Sequence, residues 1–357
     1  MSTETATASA AAQVPRRPRS FGKAEAVELI VPLAIAAVVT AILFQITPLA
    51  GPVGFVIITY VTFIAQYYVY GRRRHGAKAG VDRVATVVIS SAAAFAILPL
   101  VFIVGFVVAK GAAAFTWGFF SHTMDGVAPD APATAGGAFH AILGTLIQVG
   151  LATIICVPFG ILTAVYLQEI GGRLVPVVRL IVDAMSGLPS IVAGLFIFAV
   201  WVVGLGRGYS GLAAALALGV LMLPTVARTT EEMLKLVDPS LREASTALGA
   251  PQWRTVFKVV LPTARTGIIT AVILGIARIA GETAPLLMTA FGADRANPTK
   301  TFTEAQESLP LFIYRQITNS QGAAVDRAWT AALVLVSVVL ILFVLARVLG
   351  RNRTVAK

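Results

Sequence analysis

Arg278 and Glu282 are the residues best placed to do chemistry, because both lie in a long apolar run, GIITAVILGIARIAGETAPLLMTA, residues 267–290. Read as one helix, the run puts them four residues apart on one face. A charge near the centre of a bilayer costs at least about 2.5–3.5 kcal/mol on insertion scales, and pairing lowers that cost. The Arg guanidinium is planar, with several donors that suit a tetrahedral oxyanion. Glu282 can hold Arg278 in place or compete with an anion for it, which would make a charge-exchange switch. Gly281 and Pro285 bracket Glu282, so a bend or opening of the helix is expected there. A structural ion pair that fixes helix packing is the plainer reading of the same spacing.

Other chemistries find little support. His75, His122 and His140 lie far apart in the chain, so no metal cluster is expected. Cys156 is the single cysteine and sits in an apolar run, where a free thiol behaves as a small hydrophobe. No G-x-x-x-x-G-K-[ST] loop is present to cradle nucleotide phosphates; Lys300 lies in Pro298-Thr299-Lys300-Thr301 without the glycines. If the chain works in an ATP-driven machine, hydrolysis must come from another chain.

The second informative segment is 235–262, KLVDPSLREASTALGAPQWRTVFKVVLP, which reads as two short helices. Ser240 and Glu243 have the spacing of a capping box. Leu241, Ala244, Ser245 and Leu248 follow the i, i+3, i+4, i+7 rule and share a face. Gly249 is placed to end that helix in a left-handed conformation. Pro251 suits the first turn of the next, where Trp253, Phe257 and Val260 form another apolar stripe. An amphipathic hairpin lying on a bilayer is the alternative from composition alone.

The elements that must position these residues are membrane spans. The 357 residues are 57% hydrophobic and only 13% charged, against about 25% charged in ordinary soluble domains. A span needs about 20 apolar residues, and eight runs are candidates: 27–46, 52–70, 84–108, 141–167, 190–205, 211–226, 267–290 and 329–349. The first two make a tight hairpin around Thr47-Pro48-Leu49-Ala50-Gly51. The run 190–205 is short, and either begins earlier or follows an interfacial helix over 175–189. Pro158, Pro189 and Pro224 fall in or beside spans, where kinks are tolerated. The aromatics Phe115, Trp117, Phe119 and Phe120 read as a headgroup anchor beside a span.

The net charge of +11 suits nucleic acid or a membrane protein with basic inner loops. With the N-terminus inside, 21 of the 28 Lys and Arg residues fall on the cytoplasmic side. Six bases meet six acids on the outer side, and Arg278 alone lies within a span. The bias supports eight spans with both termini cytoplasmic, and leaves no basic stripe on a soluble domain for nucleic acid. Residues 1–24 and 351–357 read as cytoplasmic tails, the first disordered by composition.

Glu243-Ala244-Ser245, Gly249 four residues on, and Val259-Val260-Leu261-Pro262 beginning ten beyond the glycine together resemble the EAA loop of ABC importer permeases. Ser245 stands where that family usually has Ala. Arg278-Ile279-Ala280-Gly281-Glu282-Thr283-Ala284-Pro285-Leu286-Leu287 is similar to the phosphate-importer permeases of the PstA type, as are 186–194 and 157–162. The resemblance covers roughly residues 81–350 and implies an all-α, six-span permease core. The N-terminal hairpin, within 25–80, is extra, with packing or assembly as its default role. Glu243, Ala244, Ser245, Leu248, Gly249, Leu261 and Pro262 would then couple to ATPases, and Arg278, Glu282 and Thr283 would line the substrate path. The implied partners are a PstC-type permease, two PstB-type ATPases carrying ATP and Mg, a PstS-type phosphate-binding protein and membrane lipid in a bacterial inner membrane. The chain itself would be no enzyme. The rival readings are a permease for another oxyanion, molybdate or sulfate, and an ATP-independent channel or carrier.

Overall fold

The computed structural model describes residues 23–47, 51–128, 130–319 and 322–350. Both terminal tails, but for residues 23 and 24, and the centre of the first hairpin turn, residues 48–50, lie outside the described residues. Every described element is helical; a lone bridge between Phe291 and Gln306 is the one strand-like pairing among the described residues. Long apolar runs take this form because lipid offers backbone groups no partner, so each segment must satisfy its own.

Two compact units divide the chain, up to Phe102 and from Ile103. In the first, α1 (Lys23–Ile46) and α2 (Pro52–His75) form the expected hairpin, and α3 (Ala77–Gly111) begins. Gly76, at φ 89°, makes the turn from α2 to α3. Glu28 gathers Arg83 at 2.6 Å, Arg74 at 3.4 Å and His75 at 3.6 Å. Phe63 stacks on Tyr67 in a small core with Ala36.

The second unit holds the rest of α3, then α4 (Trp117–Ser121) and α5 (Phe139–Val165), which runs on through a π-helical turn to Ile170. Next come α6 (Val175–Ser186) and α7 (Ser190–Ile197), the latter extended in π form to Gly204. α8 (Gly211–Lys235), α9 (Pro239–Ala247) and α10 (Gln252–Thr255) follow, and α10 leads through another π turn into α11 (Leu261–Ala280). α12 (Ala284–Thr289), α13 (Leu309–Thr318) and α14 (Gly322–Gly350) complete the order. Among the described residues, seven helices are long and apolar enough to cross a membrane, or eight if the pair α6 and α7, bent by 106°, makes one broken span. The bend falls at Gly187–Pro189 and separates 175–186 as a helix of its own.

α8 is the central helix, packed between α5 and α11 around Ala152, Leu218, Met222, Val226 and Ile279. Lipid tails are as apolar as side chains, so helices here gain by close approach, which small residues permit. Cys156 packs on α8 where a Cβ on Gly219 would lie 2.6 Å from its Sγ. The aromatic group at 115–120 divides its work. Trp117 is 84% exposed, whereas Phe119 is buried against Phe120 and Phe312.

The run 267–290 is not one helix. α11 stops at Ala280 and α12 starts at Ala284. Likewise, the second helix of 235–262 is not short. From Gln252 it continues without a break to Ala280.

Candidate functional site: a broken helix and a helical corner

Pro285 explains the break in α11. Proline has no N–H to give the carbonyl of Gly281, four residues earlier, and its ring crowds that carbonyl. It fits instead in the first turn of α12. The Thr283 carbonyl accepts from Leu286 and Leu287 N–H at 3.1 and 3.2 Å, so Thr283 starts the new helix. Pro285 is seated against α7, where a Cβ on Gly194 would come within 2.6 Å of its Cα. Arg278, in the last turn of α11, is exposed, while Glu282 and Thr283 in the break are half-buried. The expectation of one shared face and an ion pair is therefore corrected. The helix ends between Arg278 and Glu282, and among the described residues neither is ion-paired.

The corner at 235–262 forms as a turn between two membrane helices, with two changes from expectation. Asp238, not Ser240, caps α9; its carboxylate accepts the Ser240 N–H at 2.9 Å. That bond holds the Asp238 carboxyl below its ordinary pKa. Pro251 is the residue before α10 rather than within it. Gly249 adopts φ 75°, the left-handed end that a side chain would strain. Ser245 turns inward and shares a 2.8 Å hydrogen bond with Thr255, tying α9 to α10. Glu243, Ala244, Leu241 and Leu248 are exposed, Leu248 at 89%, and so are Trp253 and Phe257. Leu261 is half-buried and Pro262 exposed in the first turn of α11. Beneath them Val256 and Val260 pack on Ala164, Val165, Leu234 and Val237.

Three residues that sequence reasoning passed over hold this corner. Arg242 forks onto the Glu169 carboxylate, Nε to Oε2 at 3.0 Å and Nη2 to Oε1 at 2.6 Å. The same guanidinium donates to the carbonyls of Val237 and Leu234 at 2.7 and 2.9 Å. Gln252 Nε2 donates to the Glu169 carbonyl at 2.6 Å. Glu169, at the end of the α5 extension, thus fastens both helices of the corner. The available signal was a lone acid at the end of a span, just before Gly171-Gly172. A second brace joins α6 to α8. Buried Glu231 accepts from Arg179 at 2.8 Å and Arg228 at 3.2 Å, and Arg228 also pairs with Asp183.

At the other end of α5 and α8, the segment 290–308 folds back over the helix starts. Gln148 Nε2 donates to the Glu307 carbonyl at 3.1 Å, and Thr145 Oγ1 accepts the Leu309 N–H at 2.7 Å. Glu307 is fully buried, and Arg315 reaches its Oε2 at 2.5 Å and Asp294 Oδ1 at 3.2 Å. Burial pushes the Glu307 carboxyl up to about 7, against the opposing pull of Arg315. His140 joins them, so that one donor atom from each of His140, Asp294 and Glu307 lies within 4.8 Å of the others. Residues far apart in sequence thus make the titratable cluster that their spacing gave no reason to expect.

Residues 156–355 match the family model of the binding-protein-dependent transport system inner membrane component. The chain belongs to this family of inner-membrane permeases. The matched span contains both the broken helix and the corner at 235–262, whereas the N-terminal unit lies outside it. The permease is 45% identical over 260 residues to the phosphate transport system permease protein PstA 1 of Mycobacterium tuberculosis, covering 72% of this chain and 84% of that one. It is 37% identical to PstA of Yersinia pestis, covering 75% and 89%. Among solved structures it is similar to the inward-facing MetNI methionine ABC transporter, at 24% identity and TM-score 0.48, covering 60% of this chain and 93% of that one. Its helices and its relatives make the chain a multi-pass inner-membrane transport subunit rather than a soluble enzyme.

Proposed function

We propose that this permease forms half of the inorganic phosphate pathway of an ATP-driven importer. A PstC-type chain would line the other half, two PstB-type subunits would hydrolyse ATP, and a PstS-type protein would deliver phosphate outside. Both termini would face the cytoplasm. The observation that carries the reading is the pairing of two features in one chain. One is a helix broken at Gly281–Thr283 beside an exposed Arg278 that has no ion-pair partner among the described residues. The other is a rigid inner corner with its apolar residues turned outward. The substrate comes from the kinship with phosphate permeases. Arg278 would offer its donors to the anion, and Glu282 and Thr283 would face the path at the break. Glu243, Ala244, Ser245, Leu248, Gly249, Leu261 and Pro262 would form or support the seat of an ATPase, whose closure would push α11 through its unbroken link to the corner.

Uptake of labelled phosphate by the reconstituted complex tests this. Competition by excess sulfate or molybdate should be weak, and Arg278→Ala should abolish flux while leaving the ATPases bound. Equal flux for sulfate would overturn the substrate. Gly249→Pro, which cannot adopt φ 75°, should stop ATP-driven uptake. Intact uptake in that variant would favour a carrier that needs no ATPase.

A further inference from the structure

We propose that His140, Asp294 and Glu307 form a binding site for one divalent transition-metal ion, of the zinc type, which clasps the segment 290–308 to the start of α5. The three residues come from two parts of the fold, the start of α5 and the segment between α12 and α13. His140 is in the first turn of α5, Asp294 follows α12, and Glu307 precedes α13. Their donor atoms already lie within 4.8 Å of one another. A tetrahedral ion with bonds of about 2.0–2.2 Å needs donors roughly 3.4 Å apart, so a contraction of little more than an ångström completes the set. One imidazole with two carboxylates suits zinc-like ions, whereas calcium and magnesium favour oxygen alone. Three protein ligands leave a fourth position open to water.

His140 is the observation that points to a ligand rather than to a simple ion pair. It is 2% exposed, and neither ring nitrogen has a hydrogen-bond partner. Its ring is held edge-on by Phe312 at 5.6 Å, so it is fixed in place. Buried polar groups normally find partners, and an orphan signals a missing water or ion. Arg315 is the cation that now serves both carboxylates, Glu307 Oε2 at 2.5 Å and Asp294 Oδ1 at 3.2 Å. Its side chain is 42% exposed, so it can swing into solvent when an ion arrives. The guanidinium and the metal compete for the same two carboxylates, but only the metal also satisfies the imidazole.

The test uses the full-length, untagged protein, purified in detergent and stripped with EDTA. Titration with Zn²⁺, read by calorimetry and by metal content after gel filtration, should show one ion per chain. Co²⁺ should give visible bands of a four-coordinate site with a nitrogen ligand. His140→Ala and Glu307→Gln should weaken binding at least 30-fold. Arg315→Gln, which keeps every ligand and removes the competing cation, should tighten it at least threefold, so the site stays testable if a ligand variant fails to fold. No stoichiometric binding by the parent chain overturns the site, leaving Arg315 as its permanent cation. Binding unchanged in both His140→Ala and Arg315→Gln also overturns it, since the ion then sits elsewhere.

Discussion

Arg242 satisfies four acceptors with one planar group, two on Glu169, one in the last turn of α8 and one just beyond it. Removing it leaves the Glu169 carboxylate, 6% exposed, with no cation. Breaking a fully buried pair costs about 3–5 kcal/mol. Arg242 is itself 24% exposed, so the expected loss for Arg242→Ala is on the order of 2 kcal/mol. Arg242→Lys cannot reproduce the fork and should fall between. Thermal unfolding of the purified chain measures both, and an unchanged midpoint for Arg242→Ala would show the brace to be idle. Such pairs escape a reading of the sequence because nothing local encodes them; Glu169 and Arg242 are 73 residues apart. The same holds for His140, whose partners come from segments beyond position 290. Gly249 was legible, because a left-handed helix end is set by its own residue.

At the scale of the element, local signals compete and the strongest decides. Asp238 and Ser240 are both good caps, but Pro239 favours the first helical position, which makes the residue before it the cap. Asp238→Ala should therefore speed amide exchange across 239–247, while Ser240→Ala should not; equal effects would contradict the assignment. The Asp238 pKa is lowered in the fold, so its capping is complete above the ordinary Asp pKa. It fades as pH falls through the lowered value. The break in α11 follows the same logic. Gly281 and Pro285 predict a bend, and a bend there takes Glu282 off the helix face that a spacing of four gives it with Arg278. Gly281→Ala with Pro285→Ala removes both the flexible residue and the missing donor. A Cβ at Gly281 meets nothing within 4 Å, so the double variant should fold. It should carry phosphate at least tenfold more slowly, and full flux would show that the break has no part in transport.

For the molecule as a whole, the architecture was legible because bilayer thickness imposes one length on every span, and charge bias adds the expected orientation. What no pattern could give is which surfaces remain open after packing. The corner at 235–262 answers that for its own face. Leu248, Trp253 and Phe257 are 89%, 58% and 56% exposed in this corner, where lipid would not cover them on the proposed topology. An exposed apolar patch rimmed by polar residues marks a protein contact. Burying one such leucine against an ATPase is worth about 2 kcal/mol, or roughly 30-fold in affinity. Leu248→Asp should thus leave thermal unfolding of the isolated chain unchanged. It should weaken capture of the ATPase subunits by at least that factor and lower ATP-driven uptake in step. Trp253→Ala should do the same more mildly, since Arg254 lies over its ring at 5.4 Å and keeps part of that surface covered. If Leu248→Asp binds ATPase normally, the corner serves another partner, and the coupling path must enter α11 elsewhere.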